Sequence, residues 1–416
     1  MTSYSLNKKK ILNDPVFGFI TIPYDILFDI MQHPWFQRLR RIKQLGVTYL
    51  VYPGALHTRF HHAIGALGLM QAAIKILQEK GHNITEAEKK AVYIAILLHD
   101  IGHGPYSHAL EHSIVGKIDH EELSLLFMEK LNREFEGELS LALRIFKGQY
   151  HKPFLHQLVS GQLDVDRLDY LKRDSFFTGV SEGVIGTERI IKMMNVMDGE
   201  LVIEAKGIYP IEKFILARRL MYWQVYLHKT VLSADQILVK VLLRARELLE
   251  NGEEIFGTPG FLFFLKKKVS LQDFRNNEEL LRKFAVLDDY DITSAIKVWT
   301  THTDKPLRDL SRSLINRRLF RIELQSKPFD PAYLNVLKHK WSERNPDYKD
   351  LVHYYVFSGK TENNAYDPGA ENIRVLTKDN RLKDLIDATE ELNVSTVTQT
   401  FHKYFVCFPK ELLKDM

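Results

Sequence analysis

Between Leu97 and His108 the chain reads Leu-Leu-His-Asp-Ile-Gly-His-Gly-Pro-Tyr-Ser-His. Three imidazoles, His99, His103 and His108, and the carboxylate of Asp100 fall within ten residues. Imidazole nitrogen and carboxylate oxygen together suit first-row divalent metals in sites with open positions. Imidazole also titrates near neutrality, so a histidine not spent on a metal can serve as acid or base. A lone histidine would carry no such reading, since buried ones are ordinarily satisfied by hydrogen bonds. Here the signal is collective. His62 can join His99 and Asp100 from a neighbouring segment, and the set then lacks one anionic ligand. Asp166 is the expected supplier: it lies in an otherwise apolar amphipathic segment, where an unpaired carboxylate would be costly. His103 and His120 remain as acid/base groups, with Glu111 placed to orient one of them.

The elements around this stretch must bring those residues together. The apolar run Ala91 to Leu98 predicts a helix ending at the His-Asp pair, and Gly102 lets the chain leave it. Small residues from Ala63 to Lys80 predict a preceding helix, closed by Gly81-His82-Asn83; Thr85-Glu86-Ala87-Glu88 is a capping box for the next. From His62 to Lys80 is roughly 27 Å of helix, and from Thr85 back to His99 roughly 21 Å. The hairpin therefore returns His99 to within about one turn of His62. Asp119 reads as an N-cap that places His120 in a first helical turn. Leu163 to Leu171 suits a helix, on which Arg167, Tyr170 and Asp174 form one stripe. A long helix over Ile211 to Val231 carries a second, Arg218, Tyr222, Tyr226 and Lys229.

The remaining segments are less chemical. Lys8-Lys9-Lys10 reads as a solvated basic run and Asn13-Asp14-Pro15 as a turn. A strand pair is expected within Phe17 to Ile22, a helix over Tyr24 to Met31, and another restarted by Pro34 over Trp35 to Leu45. The basic face of that last helix, Arg38, Arg40, Arg41 and Lys43, is expected to face solvent. Val47 to Val51 and Leu201 to Glu204 read as strands, Phe177 to Gly186 as a loop, and Ala234 to Leu249 as helix. Beyond Glu250, helical pieces at Leu271 to Leu287 and Thr293 to Thr300 give way to strands at Val352 to Phe357, Asn372 to Leu376 and Thr398 to Phe408. We expect a catalytic core over 1–250, its motif region at about 55–175, and an antiparallel α+β lobe over 251–416 serving oligomerisation or regulation.

Composition narrows the class. The 416 residues are 45% hydrophobic and 26% charged, as in ordinary globular proteins, and a net charge of +4 does not suggest a polyanion-coating protein. A local cationic pocket for phosphate stays open. One cysteine, Cys407, excludes a disulfide framework and a cysteine metal cage. The first residues lack the apolar core of a signal peptide, and no uninterrupted apolar run approaches the ~18 residues of a spanning helix. The expectation is a cytoplasmic protein that engages no membrane.

Taken together, the order His62, His99-Asp100, Asp166 resembles that of the HD-domain metallophosphohydrolases. The strings Gln37-Arg38-Leu39-Arg40-Arg41-Ile42-Lys43-Gln44-Leu45-Gly46, Tyr52-Pro53-Gly54-Ala55, His57-Thr58-Arg59-Phe60-His61-His62 and His99 to His108 resemble the deoxynucleoside triphosphate triphosphohydrolases, in particular the sterile-alpha-motif-and-HD-domain branch. Asp164 to Tyr170 and Tyr226-Leu227-His228-Lys229 extend the likeness, which covers Asn13 to Lys229 and thins beyond; no sterile-alpha-motif domain is expected here.

The resemblance implies a mainly α-helical HD-domain fold and hydrolysis of a deoxynucleoside triphosphate (dNTP) to deoxynucleoside and inorganic triphosphate, with dGTP favoured by family habit. It implies iron, manganese, nickel, cobalt or zinc on His62, His99, Asp100 and Asp166, with magnesium accompanying the nucleotide. His103 and His120 would flank the reaction centre with Glu111, where the family usually has aspartate, and His108 would protonate the departing 5′-oxygen. Arg59, Arg167 (in place of a more usual lysine), Arg218 and Lys229 match phosphate-contacting positions. Gln44, Leu45, Tyr170 and Asp174 match the deoxyribose wall, and Tyr226, with Tyr222 on its stripe, the base platform. A regulatory dNTP at a subunit contact is implied for Lys10, Asn13, Gln37, Arg40, Arg189, Lys206 and His228, in a homo-oligomer, a tetramer by preference. Other readings are an HD phosphodiesterase or nucleotidase on another phosphate ester, and a non-enzymatic regulator binding nucleotides or single-stranded nucleic acid, which nothing in the pattern supports.

Overall fold

In the computed structural model, residues 10–106, 118–363, 372–389 and 401–413 are described. A hairpin of β1 (Lys10–Asp14) and β2 (Gly18–Ile22) opens the chain, followed by α1 (Asp25–Gln32) and the short α2 (Pro34–Gln37). Then come the long α3 (Arg59–Glu79), α4 (Glu86–Leu98), α5 (His120–Glu134), α6 (Ser140–Phe146), α7 (Pro153–Gln157), α8 (Val165–Thr178) and α9 (Thr187–Met193). Strands β3 (Met194–Met197) and β4 (Glu200–Glu204) precede α10 (Ile208–Met221) and α11 (Lys229–Glu250). A helical run follows: α12 (Pro259–Lys266), α13 (Leu271–Asn276), α14 (Glu278–Phe284), α15 (Asp289–Trp299) and α16 (Lys305–Ile315). The rest is β5 (Arg321–Gln325), α17 (Pro331–Arg344), β6 (Phe357–Asn363), β7 (Arg374–Leu376), β8 (Leu382–Asp384), α18 (Leu385–Ala388) and β9 (Phe401–Phe408).

The hairpin of α3 and α4 is the centre of the molecule. Thr85 caps α4 in a reciprocal box with Glu88, and Val92 to Leu98 are all buried. Helix α3 has the length and apolarity of a membrane span, but 67% of its apolar window is buried within the protein, as in a core helix. Asp119 and Asp164 cap α5 and α8 by accepting from Glu121 N and Arg167 N. Gly179 ends α8 in the left-handed conformation, φ 74°.

Five segments depart from the expectations. The first strand of the opening hairpin is Lys10–Asp14, which in the sequence reads as the end of a basic run and a turn, rather than part of Phe17–Ile22. Gly46–Leu50 forms 3₁₀ turns, closed by Val51 N donating to Thr48 O, because that β-rich run has no strand to pair with. The helix at Pro34 stops at Gln37, passes through a 3₁₀ turn, and becomes extended enough for Lys43 to bridge Thr58. Residues 211–231 are two helices: α10 runs into a π turn over Tyr222–Tyr226, and His228 then caps α11 by accepting from Thr230 N. Residues 346–354 are 3₁₀ rather than strand, and β6 begins only at Phe357. The C-terminal strands also do not form one antiparallel sheet. Strands β5, β9 and β6 do, but β7 pairs in parallel with β4 in the order β3-β4-β7-β8.

The expected solvent-facing basic stretch also turns partly inward. Arg38 is fully buried and donates to Ile101 O at 2.7 Å and Leu287 O at 3.2 Å, joining the stretch after α4 to the segment before α15. Burial lowers its pKa to about 10, so it remains cationic near neutrality. Replacing Arg38 with Met strands two buried carbonyls. The variant is expected to lose about 2–4 kcal/mol of unfolding free energy. A urea denaturation midpoint equal to that of the wild type would contradict this role.

Candidate functional site

Three segments converge on one small volume. His62 comes from the first turns of α3, His99 and Asp100 from the C-terminal end of α4, and Asp166 from the first turn of α8. His62 Nε2 lies 3.2 Å from His99 Nε2 and 3.0 Å from Asp166 Oδ1. Asp100 completes the group, with Oδ2 3.6 Å from His62 Nε2 and Oδ1 3.5 Å from His99 Nε2. The other nitrogens are tied back: His62 Nδ1 to Asp169 Oδ2 at 2.7 Å, His99 Nδ1 to Ile96 O at 2.7 Å. Each imidazole thus turns Nε2 into the shared volume and anchors Nδ1 behind it, as metal-ligating histidines do. Two nitrogens and two carboxylates around one point fit a divalent cation.

Sequence reasoning missed the support behind His62. Asp166 and Asp169, one turn apart on α8, hold opposite ends of its ring. Arg173 binds Asp169 through Nε and Nη2, both at 2.9 Å, and reaches Asp14 at 2.8 Å through Nη1. The i,i+4 spacing of Asp169 and Arg173 was a signal for their pairing; nothing local pointed to Asp14. Gly65 of α3 faces this pair so closely that a Cβ would collide with Asp169 Oδ1 and Arg173 Nη2.

A second cluster adjoins the first. Asp100 Oδ1 lies 3.2 Å from His103 Nε2, and the His103 and His120 rings stack at 3.8 Å. Gly102 makes this possible: a side chain there would strike His120 O and Ser124 N, holding α5 off the loop. Arg59 donates to Asp100 Oδ2. Burial and the Arg59 charge push His103 well below the usual imidazole range, so it is neutral near pH 7. Burial opposes ionisation of Asp100, but His99 and Arg59 outweigh it and hold its carboxylate ionised. His108 and Glu111 lie outside the described residues.

Both clusters open into a cavity of about 350 Å³. Asp100, His103, His120, Asp166 and Arg59 line one part of it. Gln44, Leu45, Tyr170, Asp174, Tyr222 and Tyr226 line the rest, with Asp235, which sequence reasoning did not single out. Tyr226 Oη donates to Asp174 Oδ2 at 2.8 Å, while Asp174 Oδ1 meets His57 Nε2 at 2.7 Å. Of the expected phosphate cations, only Arg59 lines the cavity. Arg167 turns to Asp164 and Gly161 O, Arg218 stands near enough to Tyr170 to influence its hydroxyl, and Lys229 is exposed at the start of α11.

None of the seven expected regulatory residues lines the cavity. Lys10 and Asn13 lie on β1, and Lys10 Nζ sits 2.8 Å above the Phe28 ring. Arg40 donates to Gln37 Oε1 at 2.9 Å and lies over Phe60. Arg189 and Lys206 are exposed, and His228 is the cap of α11.

Comparison with known proteins gives this constellation its class. Residues 59–174 match the HD domain family and residues 185–255 the HD associated region. The chain belongs to the HD-domain family, whose members bind divalent metals and hydrolyse phosphate esters, and it is similar in sequence to deoxynucleoside triphosphate triphosphohydrolases. It is 32% identical over 427 residues to YwfO of Bacillus subtilis (strain 168), covering 99% of this chain and 94% of that protein. It is 31% identical over 285 residues to the deoxynucleoside triphosphate triphosphohydrolase SAMHD1 of Homo sapiens, covering 58% of this chain and 45% of that one. A crystal structure of a phosphohydrolase from Bacteroides thetaiotaomicron VPI-5482 superposes with a TM-score of 0.93 at 51% identity, over 96% of this chain and all of that one.

Two outcomes follow from the metal cluster. Asp169→Asn keeps the shape but weakens the anchor of His62. It is expected to lower metal affinity by roughly 10- to 100-fold, measured as metal retained after dialysis against a buffered free-metal series; full retention would sink the anchoring role. Second, burial disfavours charge on His62, but Asp166 and Asp169 outweigh it and raise its pKa to about 10. Without metal it therefore holds its proton at pH 7, and a cation must displace that proton from Nε2. Metal uptake is expected to release protons and to strengthen as pH rises. Calorimetry in buffers of different ionisation enthalpy reads the release directly; a buffer-independent heat would contradict it.

Proposed function

We propose that this cavity hydrolyses dNTPs to deoxynucleoside and inorganic triphosphate, with dGTP the preferred substrate. The observation that carries the reading is the meeting of the His62, His99, Asp100, Asp166 group with a neutral His103 stacked on His120 in the wall of one cavity. A divalent ion held by those four residues supplies the charge that polarises a phosphate oxygen and activates water. Arg59, fixed by Asp100, sets a positive charge beside the α-phosphate. His103, neutral through burial, can take a proton, and His120 against its face can share the charge, with Glu111 orienting the pair. His108 supplies the proton to the departing 5′-oxygen. Gln44 Oε1 is a buried acceptor without a partner, suited to a 3′-hydroxyl, and Leu45 and the ring of Tyr170 present an apolar wall to the sugar. Tyr226 and Tyr222 offer the base a ring surface. Arg167, Arg218 and Lys229 hold the outer phosphates once they turn toward the cavity, which none of them lines in the structure.

The metal is iron, manganese, nickel, cobalt or zinc, with magnesium carried by the triphosphate. A regulatory dNTP binds near Lys10, Asn13, Gln37, Arg40, Arg189, Lys206 and His228 at a contact between subunits of a homo-oligomer, a tetramer by preference, and the region after residue 250 supports that assembly in the cytoplasm. The test is incubation with each dNTP, alone and in pairs, with the phosphate products identified. Intact triphosphate is expected, and Asp100→Ala is expected to lower the rate by roughly 10³-fold. Orthophosphate or pyrophosphate as product would instead support a phosphatase or phosphodiesterase of the same class, and no response to any second nucleotide would remove the regulatory site.

A further inference from the structure

One acidic group in the cavity is used neither by the metal cluster nor by the acid/base pair. Asp235 lies on α11 one turn beyond Val231, and both line the cavity wall. Among the described residues it has no hydrogen-bond or ion-pair partner. It belongs to neither His/Asp cluster. Its side chain is half-buried and opens on the cavity, where a ligand can reach it. Desolvation in the cavity wall raises its pKa to about 7.

What can satisfy it follows from charge. A triphosphate would repel a carboxylate, so the phosphate end of a nucleotide belongs with Arg59 and the metal cluster. The rings of Tyr222 and Tyr226 line the same cavity, 5.1 Å apart, and suit a planar base. A carboxylate only accepts hydrogen bonds. Guanine presents two adjacent donors on one edge, N1–H and the N2 amino group. Adenine and cytosine present one donor beside one acceptor, and thymine one donor between two acceptors. Two donors facing Asp235 would also make the ionised form the favoured one.

We propose that Asp235 reads the base of the substrate and selects guanine by accepting from N1–H and N2–H. This rests on the nucleotide reading of the cavity given above. Asp235→Asn is nearly isosteric and replaces one acceptor with a donor, the pattern that pairs with adenine or cytosine. The experiment measures dissociation constants of the four dNTPs by equilibrium dialysis, and their hydrolysis separately, for the wild type and for Asp235→Asn. The wild type is expected to rank dGTP first, and the variant to shift the dGTP to dATP affinity ratio by roughly tenfold or more. An unchanged ranking, an equal loss for all four, or no binding of any dNTP by the wild type would overturn the assignment. Triphosphate release with an unchanged ranking sinks the base-reading role alone. A ranking that shifts in the variant without triphosphate release upholds that role and sinks only the hydrolase reading.

Discussion

The structure depends on one buried chain of charges: His62, Asp169, Arg173 and Asp14, each at most 4% exposed. Its members come from α3, α8 and the β1–β2 hairpin, so it ties three parts of the chain to one candidate metal position. Such a chain is not a net source of stability. Taking several charges out of water costs several kcal/mol per ion, and their attraction roughly offsets that cost. What it supplies is orientation. Asp169 fixes a proton on Nδ1 of His62, and Nε2 must then face Asp166, His99 and Asp100. Removing one member would leave an uncompensated charge in the core, so the hairpin, the helix pair and the metal site stand or fall together.

A second constraint comes from the far part of the sequence. Asp289, in the first turn of α15, accepts from Tyr106 N at 2.8 Å and Lys43 N at 3.0 Å, and pairs with Lys43 Nζ at 3.3 Å. Asp288 pairs with Arg41, and Arg38 caps Leu287 O. The backbone that leaves α4 after Asp100 and Gly102 is thereby held from one side by α5 and from the other by residues 287–289. The loop bearing His103 has little regular structure of its own. These contacts from distant sequence do for it what a helix ladder does elsewhere.

This division explains what was legible in the sequence. Thr85 and Asp119 announce helix starts because capping is local chemistry, and the α3–α4 hairpin followed from counting residues between caps; Asp164 caps α8 in the same way, although in the sequence it reads only as an acid in an apolar segment. The types His62, His99, Asp100 and Asp166 pointed to a metal because few other arrangements tolerate them in apolar surroundings. Arg38 misled because its basic neighbours suggested one solvent-facing stripe, and only a carbonyl 249 residues away shows that it is buried. Val47 to Leu50 misled because β-branched and aromatic residues serve a buried 3₁₀ turn as well as a strand. The parallel register of β4 with β7 depends on residues about 170 positions apart, and no periodicity reports it.

The π turn at Tyr222–Tyr226 shows how a local irregularity shapes the whole cavity. An uninterrupted helix from Ile208 through Glu250 would present a continuous face. Here the wide turn, closed by Leu227 N donating to Tyr222 O at 2.7 Å, spends an extra residue, and His228 then stops the helix and restarts it. The consequence is that Tyr222 and Tyr226, at the end of one helix, and Val231 and Asp235, at the start of the next, line the same cavity. Tyr226 is locked there through Asp174 to His57, whose ring stacks on Phe177 at 4.5 Å. A single long helix could offer such a wall either the aromatic pair or the acid at a given depth. Breaking it lets one wall carry both a ring surface and a hydrogen-bond acceptor, which is what distinguishing one flat heterocycle from another requires.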